Sequence, residues 1–382
     1  MKFLKFLPPL VILLSLLLLV SSSSCCNIPA LFNFGDSNSD TGGFSAAFGP
    51  LPPPYGETYF GMPAGRGSDG RLIIDFIAES LGLPYLSSYL DSLSANFSHG
   101  ANFAAVGSTI IDQNVTLSQG GYSPFFLDAQ LKQFLQFKSR SQLVYNQGGV
   151  FKGLMPKEAY FPQALYTVDI GQNDLTAAIL GNKSADKFIR NAMAEFSRVI
   201  KNIYEIGGRN FWIHNTGPLG CLPFFLVRVN LTPTNLDSAG CWIPYNKLAQ
   251  QFNAKLYNTV IELRREFPLA AFTYVDVYSV KYLLISQAQK YGFEEPLTAC
   301  CGYGGGKLNV DTRVRCGATG KNVDGTKYLL SNLCKNPLKR VSWDGVHYTE
   351  AAAKWVFDRI STGEYSDPPN SLNTVCHINY QD

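Results

Sequence analysis

Ser37 stands in Asn33-Phe34-Gly35-Asp36-Ser37-Asn38, directly after a short apolar run and a flexible glycine. A serine so placed sits on a tight turn at a helix N-terminus, where free backbone N–H groups stabilise an oxyanion. The same run also supplies an ordinary Ser/Asp helix cap, and taken alone that is the commoner role. A serine hydroxyl is a weak nucleophile at neutral pH and needs a base. The chain has four histidines. His377 lies in the C-terminal tail, His99 in a loop before a second strand and His214 at the end of a fourth, each with a plausible structural role. His347 differs, because Asp344 lies three residues upstream in Ser342-Trp343-Asp344-Gly345-Val346-His347-Tyr348-Thr349. One turn brings that carboxylate to the imidazole Nδ1–H, fixing the tautomer that leaves Nε2 to take the serine proton. An isolated D-x-x-H is more often a surface turn. Serine and histidine–aspartate together have the chemistry of two-step acyl transfer.

These residues must be carried on a frame. Short runs rich in β-branched and aromatic residues alternate with helical patterns, as in a parallel sheet with crossover helices. The spacing predicts strands over 30–34, 101–105, 164–170, 211–214 and 272–277. Ile189, Met193, Phe196, Ile200 and Ile203, and then Leu248, Phe252, Leu256, Val260 and Leu263, recur every three or four residues, each set on one buried helix face. Shorter helices fit 72–81, 129–143 and 350–360. Ligands of an open parallel sheet bind beyond the carboxyl ends of its strands. There the second strand ends in Ala105-Val106-Gly107-Ser108, and Gly107 lets a backbone N–H approach a ligand. The third ends in Gly171-Gln172-Asn173-Asp174, and the Asn173 amide is a second oxyanion donor. Each also reads as a turn former. Asp36, Asp40 and Asp174 lie near the same rim, where an aspartate is more often a cap or turn residue.

The N-terminus has Lys2 and Lys5, then an apolar stretch to Val20, then small polar residues, the pattern of a cleaved signal peptide over about residues 1–25. Its unbroken apolar run is shorter than the ~20 residues needed to cross a bilayer, so no stable membrane insertion is expected. Nothing marks a boundary inside 26–382, and one domain is the simplest reading. Nine cysteines in an exported chain point to disulfides rather than zinc, with the pairing left open. Asn96, Asn114, Asn182 and Asn230 head N-x-S/T triplets, expected surface sites for N-glycans. A net charge of +3 gives no sign of a nucleic-acid partner. Segments 51–70 and 300–322, rich in Pro and Gly, are long loops over the rim of the sheet.

The sequence resembles the plant GDSL esterase/lipase family of the SGNH hydrolase superfamily, in the group of early nodulins, fucosidase-named proteins and acetylesterases. The resemblance is carried by four blocks in order. They are Phe32-Asn33-Phe34-Gly35-Asp36-Ser37-Asn38-Ser39-Asp40-Thr41-Gly42, then Gly100-Ala101-Asn102-Phe103-Ala104 running to Gly107, then Gly171-Gln172-Asn173-Asp174, and finally Asp344-Gly345-Val346-His347. It implies a three-layer α/β/α sandwich on a five-stranded parallel sheet, flavodoxin-like in layering. It also implies Ser37 as nucleophile, His347 as base and Asp344 as its partner, with Ser37 N–H, Gly107 N–H and the Asn173 amide in the oxyanion hole. The implied protein is a secreted esterase of small-molecule, polysaccharide or lipid esters that needs no metal or organic cofactor. Two positions depart from the family pattern: Asn38 replaces the leucine of the family name, and Gly67 stands where relatives usually carry phenylalanine. A glycosidase, which needs two carboxyl groups flanking one bond, and a catalytically silent sugar- or lipid-binding glycoprotein are the rival readings.

Overall fold

Phe32 and Phe34 point to one face of the first strand while Leu31 and Asn33 point to the other, and this period of two organises the whole molecule. The computed structural model describes residues 26–93, 95–114 and 121–375. The expected signal segment, Cys25, Cys376 and His377 lie outside them. Five strands are parallel: β1 (Leu31–Gly35), β2 (Gly100–Asn102), β3 (Leu165–Asp169), β4 (Asn210–His214) and β5 (Ala271–Val275). They lie in the order β2-β1-β3-β4-β5, and a two-residue strand, Ser366–Asp367, adds antiparallel to β5 as a sixth. The five parallel strands are thus those expected, each within a few residues. The exception in length is the second, which stops at Asn102 because its side chain turns to hydrogen-bond the Ser39 carbonyl and Thr41 Oγ1.

Helices cover both faces, as a wholly buried parallel sheet requires. On one side α2 (Leu127–Gln147), α4 (Ala185–Glu205) and α5 (Ile243–Glu266) bury Phe134, Phe196 and Phe252 against Phe32, Tyr166, Phe211 and Phe272. On the other, α1 (Ile73–Ser80), α6 (Val277–Ser286) and α7 (Glu350–Ile360) bury Phe76, Val280 and Val356 against Leu31, Leu165, Trp212 and Val275. The helix α3 (Gln172–Leu180) follows β3. Phe134 shows how close the packing is, with the rings of Phe32, Phe34, Phe103 and Tyr166 at 5.2 to 5.8 Å. Truncating a ring so placed costs about 3–5 kcal/mol.

Disulfides join Cys221 to Cys241, Cys300 to Cys334 and Cys301 to Cys316, and Cys26 is also disulfide-bonded. Two of them staple the second long loop. The side chains of Asn96, Asn114, Asn182 and Asn230 all sit on exposed residues. No helix among the described residues is long and apolar enough to cross a membrane.

Candidate active site

The chain leaves β1 through a glycine with no room for a side chain. A Cβ on Gly35 would lie 2.5 Å from the Asp169 carbonyl and 2.5 Å from Ser39 Oγ. Gln130 grips the same peptide from α2, donating Nε2–H to the Gly35 carbonyl at 2.8 Å and accepting its N–H at 2.9 Å. Asp36 Oδ1 then accepts the backbone N–H and the side-chain amide of Asn38, which folds the chain back and leaves Ser37 at the apex. Asn38, at the position of the family's leucine, therefore braces the turn. The expected helix N-terminus at Ser37 is not there: Ser37 lies in a turn, and the next helix, six residues long, begins only at Gly43. The reason is Asp40, whose carboxylate gathers the N–H groups of Gly42, Gly43 and Phe44 and so starts the helix three residues beyond itself.

Asp40 has a second task. Its Oδ2 also accepts Val106 N–H at 2.8 Å, which ties the Gly107 loop to the Ser37 turn. Asp174 does the same from α3, taking Ile110 and Ile111 N–H on its two oxygens. The carboxylates near the rim are thus caps and clasps, as expected of their positions. Gly107 has φ +80°, and neither its N–H nor that of Ser37 has a protein acceptor among the described residues. Asn173 donates one Nδ2–H to the Ser108 carbonyl at 2.9 Å, which orients the amide and leaves its second N–H for a ligand.

The opposite wall is the Asp344 turn, made possible by Gly345 at φ +94°. Asp344 Oδ1 accepts Val346 and His347 N–H at 2.9 and 2.8 Å, and Oδ2 accepts His347 Nδ1–H at 2.7 Å. Tyr55, from the 51–70 loop, donates its hydroxyl to the same Oδ2 at 2.8 Å. Burial would raise the Asp344 pKa, but the His347 charge and the hydrogen bonds from His347 and Val346 hold it at about 2. For His347 burial disfavours the imidazolium; the charge and hydrogen bond of Asp344 outweigh it, with help from Asp36, and raise the pKa above its ordinary value of 6.5. With Nδ1–H committed to Asp344, Nε2 carries the lone pair. It is buried without a protein partner.

Ser37 and His347 line one small cavity of about 20 Å³, together with Asn38, Leu72, Ile73, Lys281, Tyr348, Ala353 and Val356. Gly67 packs on the His347 ring, where a Cβ would meet three ring atoms at 3.5 Å. Its loop is pinned there by Ser68 Oγ–H donating to the Tyr348 carbonyl and by Asp69 accepting Glu350 N–H. Lys281 is 4% exposed, forms no ion pair among the described residues, and sets its ammonium 4.8 Å from the Tyr348 ring centre. Burial lowers its pKa, opposed by the charges of Asp169 and Asp36. The structure therefore brings together Ser37, Asp344 and His347, with Gly107 on the loop after β2 and Asn173 in the first turn of α3. His214 is elsewhere, buried between Asp169 and Trp212 Nε1, and His99 bonds the Pro29 carbonyl. Sequence reasoning missed Tyr55, Gln130 and Lys281. Asn33, a polar residue inside an aromatic strand, was the available sign of the buried amide network that Asn33, Asn102 and Thr167 form under the Ser37 turn.

A family model described as GDSL-like Lipase/Acylhydrolase matches residues 31–360. The chain is 56% identical over 356 residues to GDSL esterase/lipase ACHE of Zea mays, covering 92% of this chain and 90% of that protein. An Esterase of Hevea brasiliensis is 55% identical over 355 residues, again 92% of this chain and 90% of that one. Alpha-L-fucosidase 3 of Arabidopsis thaliana is 54% identical over 341 residues, 88% of this chain and 91% of that one. With the model spanning most of its length and relatives this similar, the chain belongs to the GDSL-like lipase/acylhydrolase family.

Proposed function

We propose that Ser37, His347 and Asp344 hydrolyse carboxylic esters through an acyl-enzyme. Membership of the family makes the chain a carboxylic ester hydrolase. One observation carries it: His347 holds Asp344 through Nδ1 and keeps Nε2 unpartnered in the cavity it shares with Ser37. Nε2 takes the serine proton as Oγ attacks the ester carbonyl, and the imidazolium is stabilised by Asp344. The oxyanion is met by the N–H groups of Ser37 and Gly107 and the free Asn173 N–H. His347 protonates the leaving alcohol, then activates water against the acyl-enzyme.

Residues 1–25 are read as a cleaved signal and 26–382 as one secreted domain. Its glycans are assigned to Asn96, Asn114, Asn182 and Asn230. The three disulfides, the further disulfide-bonded Cys26 and the exposure of all four asparagines support export. The substrate class is acyl or acetyl esters of glycosides, polysaccharides or lipids.

The test is hydrolysis of p-nitrophenyl acetate and longer homologues beside Ser37→Ala. The variant is expected to fold and lose on the order of 10⁴-fold or more in turnover; equal activity of the two would remove Ser37 from the reaction. A glycosidase reading is favoured by one relative's name. It needs two carboxyl groups free to flank a bond, whereas Asp174 and Asp40 spend both oxygens on backbone N–H groups. A serine-directed phosphonate separates them, because a carboxylate-dependent glycosidase survives it.

A further inference from the structure

Charge is distributed unevenly along the chain. Segment 303–340 carries eight lysines and arginines against two aspartates, a net +6, while the whole chain carries +3. Everything outside that segment is therefore net acidic. Three of the eight cations are paired, Arg313 with Asp311, Lys339 with Glu294 and Arg340 with Glu295. Lys307, Arg315, Lys321, Lys327 and Lys335 are exposed and form no ion pair among the described residues.

Two of these are placed against each other. Thr319–Lys321 and Lys327–Leu329 form a separate antiparallel ribbon in which Lys321 pairs directly with Lys327. Like charges directly opposite destabilise a ribbon, and a ribbon of two strands has little stability to spare. An anionic ligand lying across both ammonium groups removes that repulsion.

The segment is anchored beside the catalytic turn. The Cys300–Cys334 and Cys301–Cys316 disulfides close it. Cys300 and Cys301 N–H donate to the Ser342 and Trp343 carbonyls, immediately before Asp344. Val310 packs against Gly345, inside the turn that carries His347; a Cβ on Gly345 would come within 2.8 Å of Val310 Cγ2.

We propose that segment 303–340 is a docking arm for a carboxylated polysaccharide, which it holds so that esters on the polymer reach Ser37. The proposal rests on the ester-hydrolase and export readings above. Several exposed lysines spread along a cystine-closed arm suit a polymer with repeated carboxylates, since each pair is weak and the sum is not. Anionic lipid is concentrated on the cytoplasmic leaflet, away from an exported protein.

The experiment is affinity electrophoresis of the whole protein through gels containing polygalacturonate, with a neutral glucan as control. Wild type, Ser37→Ala and the triple variant Lys321→Gln/Lys327→Gln/Lys335→Gln are compared. Wild type and Ser37→Ala are expected to be retarded equally by polygalacturonate and not by the glucan. Retardation should vanish at about 0.3 M salt, where exposed charges are screened. Binding by the triple variant should be about tenfold weaker, the loss of three exposed ion pairs, with p-nitrophenyl acetate hydrolysis unchanged. No retardation of the wild type, equal retardation of the triple variant, or capture by phosphatidylserine vesicles in place of polygalacturonate overturns the proposal. Binding is read without turnover, so loss of the Ser37 reading in the ester assay leaves this result standing on its own.

Discussion

Tyr55 and His347 donate to the same oxygen, Asp344 Oδ2, at 2.8 and 2.7 Å. The tyrosine belongs to a loop 289 residues away in the chain, and it gives the oxygen that accepts His347 Nδ1–H a second donor. Tyr55→Phe keeps the ring that packs on Trp343 and removes only the hydroxyl. The expected result is a fall in kcat of about five- to tenfold, equivalent to ~1–1.4 kcal/mol for one hydrogen bond among four on that carboxylate. KM should not change. Steady-state kinetics on p-nitrophenyl acetate check this, and a drop as large as that of His347→Ala would show that Tyr55 does more than orient.

Asn173 spends one N–H on the Ser108 carbonyl, which orients its amide before substrate arrives, and the other N–H is the one proposed to meet the oxyanion. Asn173→Ala is expected to lower kcat by roughly 10²–10³ with little effect on KM, the signature of a contact made in the transition state. A rise in KM at constant kcat would reassign the amide to ground-state binding.

The activity of the free enzyme should fail on the acid side at a pH above 6.5, because Asp344 and Asp36 favour the imidazolium of His347, which cannot act as base. Lys281 opposes them, so Lys281→Met should move the acid limb of kcat/KM further upward and Lys281→Arg should restore it. An unmoved limb in Lys281→Met would separate that ammonium from the base.

Stability carries its own pH signature. Burial, joined by the Asp169 charge, raises Asp36 to about 7, and burial raises Asp174 to about 7. Between about 3.8 and 7 the native state therefore holds protons that the unfolded chain has lost, and stability falls as pH rises through that window. His347, also raised, adds a loss above its unfolded value of 6.5. Asp344, depressed to about 2, acts in the other direction: its contribution is complete above 3.8 and disappears as pH falls toward 2. The melting temperature should thus be highest in mildly acidic buffer and decline toward pH 8. Asp174→Asn should flatten the decline, and a melting temperature rising steadily from pH 4 to 8 would contradict the assignment.

The strands and most of the helices were legible because periods of two and of three to four survive in any element with one buried face. α7 was read to the residue, since Thr349 caps it through Ala352 N–H and its apolar face is regular. α6 was not. Val277, Tyr278, Val280, Tyr282 and Ile285 are strand-favouring types, and the helix exists because Asp276 caps Ser279 N–H and the sheet buries Val277 and Val280. In the site, residues on strand ends could be read, because the parallel sheet dictates where chemistry sits. Tyr55 and Lys281 could not, since a loop tyrosine and a helix lysine are brought to Asp344 and Ser37 only by tertiary packing.

Gly35 is where fold and chemistry meet most tightly, and it gives the sharpest structural test. Its Cα faces the Asp169 carbonyl of the neighbouring strand, its peptide is held on both sides by Gln130, and Asp36 N–H continues to the Asp169 carbonyl at 3.1 Å. A methyl there meets backbone on one side at 2.5 Å, and backbone in a central strand cannot give way cheaply. Gly35→Ala should therefore separate β1 from β3 at their carboxyl ends, lift the Ser37 turn and cost about 1–3 kcal/mol. Because the displacement falls on the residue proposed as nucleophile, activity should fall by far more than stability, on the order of 10²-fold or beyond. Thermal melting and ester hydrolysis measured on the same preparation check both. A stable variant with full activity would mean that β1 can shift without moving Ser37.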